Sequence, residues 1–123
     1  RVHAGARGSV PRESAVLNDP VETAAIRNAL GSHADRVPVS ATKPYHGHAL
    51  GASGAIEDAI RCVSLRESWV HPILNLDEPA EGCDLDYVTG RGREGELNGV
   101  ISNSFGFGGI NAALVITSET QLS

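Results

Sequence analysis

The run from Ser40 to Gly54, Ser-Ala-Thr-Lys-Pro-Tyr-His-Gly-His-Ala-Leu-Gly-Ala-Ser-Gly, constrains this chain more than any other stretch. A short β-type run, Val37-Pro38-Val39-Ser40, leads into it, and an apolar-periodic run, Ile56, Ile60 and Val63, leads out. A strand end therefore feeds a loop, and the loop feeds a helix. Gly47, Gly51 and Gly54 allow tight turning and close backbone approach. The loop carries Lys43, His46 and His48. A lysine and a histidine aimed by flanking elements are suited to chemistry. Most such side chains on loops are merely solvated, so spacing alone leaves both readings open.

A second stretch sharpens the choice: Asn103-Ser104-Phe105-Gly106-Phe107-Gly108-Gly109-Ile110-Asn111. No Lys-Ser or Lys-Thr follows its glycines, which argues against a phosphate cradle. Composition narrows the setting. Hydrophobic content of 41% permits a core, and with only 4% aromatic residues that core is aliphatic and alanine-based. A net charge of -5 lacks the basic footprint of a nucleic-acid binder. No run approaches the roughly 20 apolar residues of a membrane span, and no secretory signal pattern opens the chain. Cys62 and Cys83 make no disulfide framework, so a reduced, cytoplasmic setting is expected. Cys62 falls beside the apolar stripe of its helix and reads as a small buried hydrophobe. No paired ligand spacing joins Cys83 to His46, His48 or His71, so no metal is expected. The chain holds no Met and opens on Arg1, which is expected of a piece of a longer frame.

Together the two stretches resemble the C-terminal half of the β-ketoacyl-acyl-carrier-protein synthases, the condensing enzymes of fatty-acid and polyketide synthesis. The first is similar to their Ser-x-Thr-Lys-x-x-x-Gly-His-x-x-Gly-Ala-x-Gly signature, the second to their Asn-Ser-Phe-Gly-Phe-Gly-Gly-x-Asn signature. Ile73 to Leu76 and Cys83 to Val88 fit in order, and the resemblance runs from Leu17 to Thr117. It implies an α/β fold: the C-terminal half of a thiolase-like αβαβα layered arrangement, a mixed sheet with packed helices. It implies a decarboxylative Claisen condensation, with His48 contacting the malonyl thioester and Lys43 supporting the site electrostatically. Phe107 is similar to the family's gating phenylalanine, with Phe105 beside it. Gly106, Gly108 and Gly109 would let that loop move and bring backbone N–H groups to an oxyanion. His46 falls at a variable position and takes no role. The resemblance implies no bound cofactor, substrates carried on the phosphopantetheine of an acyl carrier protein, and a homodimer. Neither nucleic acid nor membrane is an expected partner.

The chemistry needs these residue types. Loss of carbon dioxide from a malonyl thioester leaves an enolate, and a donor aimed at its oxygen can be worth roughly 3 kcal/mol. A neutral imidazole is a good donor, and a nearby lysine disfavours a second positive charge on the ring.

In chain order, residues 1–16 read as an irregular, poorly matching segment and residues 17–123 as an incomplete synthase C-terminal domain. Asp19-Pro20-Val21-Glu22 predicts a helix start. That helix runs to Leu30, stops at Gly31, and buries Val21, Ala25, Ile26, Ala29 and Leu30. Arg36 to Ser40 is a strand. A second helix spans about 51–68, with Ile56, Ile60 and Val63 inward. Trp69 to Leu76 is extended, Asp84 to Thr89 a short strand, and Arg91 to Glu96 a solvated hairpin tip. Gly99 to Ser104 is a strand. Asn111 to Thr117 reads as a continuous apolar strand in a sheet covered on both faces.

Two departures from the family stand out. Its nucleophilic cysteine belongs to the N-terminal half, and neither Cys62 nor Cys83 sits in a matching context. Its second catalytic histidine falls on Pro11, and its two pantetheine-facing threonines fall on Glu13 and Ala15. A shifted frame upstream of Leu17 would give this pattern, and the nucleotide sequence tests it. The readings are therefore a condensing acyltransferase part, inactive alone, or a non-catalytic remnant or partner subunit that pairs with a complete synthase. A free-standing small-molecule module has only the glycine loops behind it. Poor solubility or partner dependence is expected of half such a fold.

Overall fold

The computed structural model describes residues 2–5 and 12–118, with side chains described for 19–106 and 108–118. Its centre is a four-stranded mixed sheet in the order β2-β1-β5-β6. β1 (Val2–Gly5) runs parallel to both β2 (Val39–Ser40) and β5 (Gly99–Phe105). β6 (Asn111–Thr117) returns antiparallel to β5, Phe105 opposite Asn111 and Gly99 opposite Thr117. Beyond β2, Val39 makes a parallel bridge to Tyr87 through Val39 N–H to Asp86 C=O (2.8 Å) and Val88 N–H to Val39 C=O (2.9 Å). The expected strand over 84–89 is thus reduced to one bridge. β3 (Trp69–Val70) pairs with β4 (Arg93–Glu94) in a separate ribbon. The stretch expected as a solvated hairpin tip therefore has a strand partner, pinned by Arg93 on Asp86 at 2.5 and 2.9 Å.

Helix α1 (Arg12–Leu30) begins eight residues before the predicted Pro20 start and carries Pro20 inside it. Residues 1–16 are correspondingly not all irregular, since β1 and the first turn of α1 fall there. Glu13, Ala15 and Leu17 favour helix and no glycine interrupts them, so the turn continues through Pro20 at the cost of one i→i−4 bond. The stop is as read, with Gly31 left-handed at φ +54. Among its described side chains Glu22, Thr23 and Ile26 are buried, whereas Val21, Ala25 and Ala29 are exposed. Thr23 Oγ1 meets Tyr87 Oη at 2.9 Å, and Arg27 reaches Asp35 at 2.8 Å and Asp84 at 3.0 Å. These contacts tie α1 to the far edge of the sheet.

The core is aliphatic, as its composition requires. One cluster gathers Ile26, Ala34, Val37, Val39 and Leu85, and a second gathers Val70, Val88 and Leu97. As many buried residues are polar or charged, chiefly on the faces that α1 and α3 (Ser53–Glu67) turn inward. On α3 the buried positions are Ser53, Glu57, Arg61 and Ser64. The predicted stripe is overturned: Ile56 and Ile60 are half-buried and Val63 is 49% exposed. Cys62 is exposed rather than buried, and Cys83 is buried. β6 is corrected as well. It is the sheet's edge, and every residue from Asn111 to Val115 is exposed.

A side chain on Gly92 would fall inside the indole ring of Trp69. Gly92→Ala is therefore expected to expel Trp69 from its seat against β4. Trp69 is the chain's one tryptophan, so its emission should shift to the red. Unchanged emission would contradict this packing.

Candidate functional site

Lys43 opens a single helical turn, α2 (Lys43–His46), within what the sequence predicts as loop. Pro44 suits the start of such a turn, having no N–H to leave unpaired. Gly47 ends it, its φ of +76 open to glycine and its N–H on the Lys43 carbonyl at 2.8 Å. The Lys43 side chain turns inward, only 6% exposed, and its ammonium pairs with the Glu57 carboxylate on α3. Glu57 is 4% exposed and lies 3.6 Å from Arg61 Nη1, which is also 3.7 Å from Asp58. Burial pushes the Arg61 guanidinium below its usual range, against the opposing pull of Glu57, Asp58 and Glu22. Buried charges persist only when paired, so Glu57 holds two cations at once. Sequence reasoning missed Glu57. Its signal was there: the i,i+4 pair Glu57–Arg61 lies about 100° round the helix from Ile56 and Ile60.

His48 lies one residue beyond Gly47 and is exposed. Its Nδ1 accepts from the Leu50 N–H at 2.9 Å, with Ser53 Oγ at 3.3 Å. A backbone N–H can only donate, so Nδ1 is an acceptor and the neutral ring carries its proton on Nε2. The loop thus presents an N–H donor of fixed tautomer. His46 is spent on Thr42 Oγ1 at 3.1 Å.

Loop 105–110 follows directly from β5. The Gly106 N–H bonds the Ile110 carbonyl at 2.7 Å, and a Cβ on Gly106 would come within 3.1 Å of that oxygen. That N–H is therefore engaged within the loop, which leaves Gly108 and Gly109 as the candidates for facing an oxyanion. Both have positive φ, +79 and +80, so glycine there serves the turn itself. Phe105 ends β5, half-buried. The backbone of Phe107 opens a 3₁₀ turn, and its side chain lies outside the described residues, as does Pro11. The two signature stretches meet where α3 packs on β5. A Cβ on Gly54 would lie 4.0 Å from Ser104 Oγ. The helix that follows His48 therefore rests on the strand that leads into the phenylalanine loop.

Two further features lie apart from this. An apolar groove of 340 Å³ runs along the outer side of α3, lined by Tyr45, Ile60, Val63, Trp69 and His71 among others, and neither Lys43 nor His48 borders it. Behind it, Ser40 Oγ donates to the His71 carbonyl at 2.6 Å and meets His71 Nδ1 at 2.8 Å. Burial lowers the His71 pKa below 6.5, the contact with the Pro72 carbonyl opposes this, and the Arg61 charge adds to it. The unfolded chain then takes up a proton that the folded chain refuses. Stability is expected to be full above about pH 6.5 and to fall as pH drops through it, flattening below the folded value. Urea midpoints compared across that window check this, and His71→Leu should flatten the slope. Among the described residues no three His, Cys, Asp or Glu side chains gather to hold a metal ion. No described helix is long and apolar enough to cross a membrane.

An α/β mixed sheet with its chemistry-bearing loops between strand and helix is the architecture of ketosynthases of the thiolase-like class. A beta-ketoacyl synthase from Burkholderia phymatum superposes with a TM-score of 0.81 at 36% identity, over 94% of this chain and 27% of that one. A type II PKS acyl-carrier protein in complex with its ketosynthase bound to the hexaketide gives a TM-score of 0.82 at 33% identity, over 95% and 27%. Residues 12–77 match the family described as beta-ketoacyl synthase, C-terminal domain, and the chain belongs to that family. It is 48% identical over 99 residues to 3-oxoacyl-[acyl-carrier-protein] synthase 2 of Coxiella burnetii, which is 80% of this chain and 24% of that protein. It is 42% identical over 115 residues to the oxytetracycline polyketide putative beta-ketoacyl synthase 1 of Streptomyces rimosus, 94% of this chain and 26% of that one. The chain thus spans about a quarter of the length of the relatives it matches.

Proposed function

We propose that this chain supplies the malonyl-side machinery of a 3-oxoacyl-[acyl-carrier-protein] synthase, in fatty-acid or polyketide synthesis. The observation that carries this reading is the hydrogen bond from the Leu50 N–H to His48 Nδ1, which leaves Nε2 as the ring nitrogen free to donate. In the reaction, the bond between the malonyl carboxylate and its α-carbon breaks and carbon dioxide leaves. The electron pair moves into an enolate whose oxygen accepts from His48 Nε2–H. That carbanion equivalent attacks an acyl thioester carbonyl, and the cysteine sulfur leaves as thiolate. Lys43, fixed on Glu57, supports the site from beneath the loop, and Phe107 gates it. The thioesters arrive on phosphopantetheine of an acyl carrier protein, in the cytoplasm, and the whole synthase works as a homodimer.

A nucleophilic cysteine must come from elsewhere, since Cys83 is buried and neither cysteine lies within either signature stretch. The chain by itself is therefore expected to bind malonyl thioester without condensing it. Titrating the 123-residue chain with malonyl-pantetheine tests this. The His48 Nε2 resonance should move saturably while other imidazoles stay in place. No movement of His48, or condensation by the purified chain, would overturn the proposal. The second reading, a non-catalytic partner that pairs with a complete synthase, is favoured by Pro11, Glu13 and Ala15 at the family's histidine and threonine positions. It predicts no malonyl-dependent movement at all.

A further inference from the structure

Arg61 lies on α3 two turns beyond Ser53, whose Oγ approaches the His48 ring. It is 3% exposed, and its Nε and Nη1 have no hydrogen-bond partner among the described residues. Its Nη1 is held by charge, 3.6 Å from Glu57 Oε2 and 3.7 Å from Asp58 Oδ1. Lys43, in the turn just before His48, takes the other oxygen of that carboxylate, Glu57 Oε1. From α1 the Glu22 charge acts on Arg61 as well. Past β3, burial chiefly, and the Arg61 charge with it, lower the His71 pKa, so His71 adds no cation at neutral pH. Two cations therefore face three carboxylates, of which Asp58 is 31% exposed and partly screened.

A buried guanidinium with unpaired N–H groups costs stability. The Lys43–Glu57 pair is already one to one, so Arg61 is not needed to complete it. What Arg61 adds is positive charge inside the domain. Without it, Lys43 alone would face the three carboxylates, and an anion arriving at His48 would meet a more negative interior. Two helical turns place Arg61 about 12 Å along the axis from Ser53. Over that span a buried charge is screened far less than one in water.

We propose that Arg61 is a specificity-determining residue, one that favours a carboxylated, malonyl-type thioester over an uncharged acyl thioester at His48. It acts as a positioning residue does, through the field of the buried cluster and not by contact with the ligand. The inference rests on the proposed function, because it needs the malonyl carboxylate beside His48.

Titrations of the full chain with malonyl-pantetheine and with acetyl-pantetheine, followed at the His48 imidazole, test it. Arg61→Met should weaken malonyl-pantetheine by about three- to tenfold and leave acetyl-pantetheine unchanged. Arg61→Lys, which keeps the charge, should bind both as the parent does. Asp58→Asn removes a carboxylate instead, and should tighten malonyl-pantetheine without affecting acetyl-pantetheine. The urea midpoint of Arg61→Met should equal or exceed the parent's, since a hydrophobe replaces a poorly bonded buried charge. If that variant fails to fold, Asp58→Asn carries the test. Equal weakening of both thioesters would make Arg61 a structural residue and overturn the proposal. A parent that responds to malonyl-pantetheine, with variants that bind it no differently, overturns the specificity alone. A parent whose His48 does not respond overturns the proposed function, and the specificity with it.

Discussion

Glu57→Gln is expected to cost about 3–5 kcal/mol of folding stability, the range found when one partner of a buried ion pair is removed. Lys43 and Arg61 both lose their shared carboxylate, and both are under a tenth exposed. Against a total of about 5–15 kcal/mol for a domain, that loss is a large fraction, and only at the low end of the range would it unfold much of the population. Urea denaturation followed by circular dichroism measures it, and a loss below about 1 kcal/mol would show that the cluster is wetter than its burial indicates. Adding Lys43→Met to Glu57→Gln should recover part of the loss, because the amide then faces one orphaned cation instead of two.

His48→Ala is expected to act in the opposite way, on chemistry and not on folding. The ring is exposed and its hydrogen bonds are local, to Leu50 and Ser53, so the melting curve should barely move. Measured with the chain paired to a cysteine-bearing synthase half, carbon dioxide release from malonyl-pantetheine should fall by about 10²–10³, the usual effect of deleting one oxyanion donor. The comparison is with the parent chain under the same conditions. A rate within a few-fold of the parent would remove His48 from the reaction. Lys43 cannot serve as the matched control, since its removal disturbs the buried cluster as well.

The sequence was informative wherever backbone geometry forced a residue choice. Gly31 marked the end of α1, and the span of α3 and both strands of the β5–β6 hairpin followed from periodicity and glycine punctuation. Lys43 and His48 are legible as a motif in the sequence alone. What failed was orientation. Hydrophobic periodicity points a helix inward by its apolar stripe, yet α3 turns Ser53, Glu57, Arg61 and Ser64 to the interior. It can do so because the Glu57 carboxylate offsets the charges of Lys43 and Arg61, a tertiary fact invisible to a stripe count. The same confusion put β6 inside a covered sheet: an apolar strand reads alike at the centre and at the edge. Glu57 was hidden for the first reason, and α2 because one four-residue turn is too short to show a helical period.

The seat of Lys43 has a practical corollary. It is the chain's one lysine, and folding shuts its amine away behind a carboxylate. Side-chain acylation by an amine-reactive label should therefore proceed only when the domain opens. The labelling rate at that residue becomes a native stopwatch for opening, with no engineered probe required.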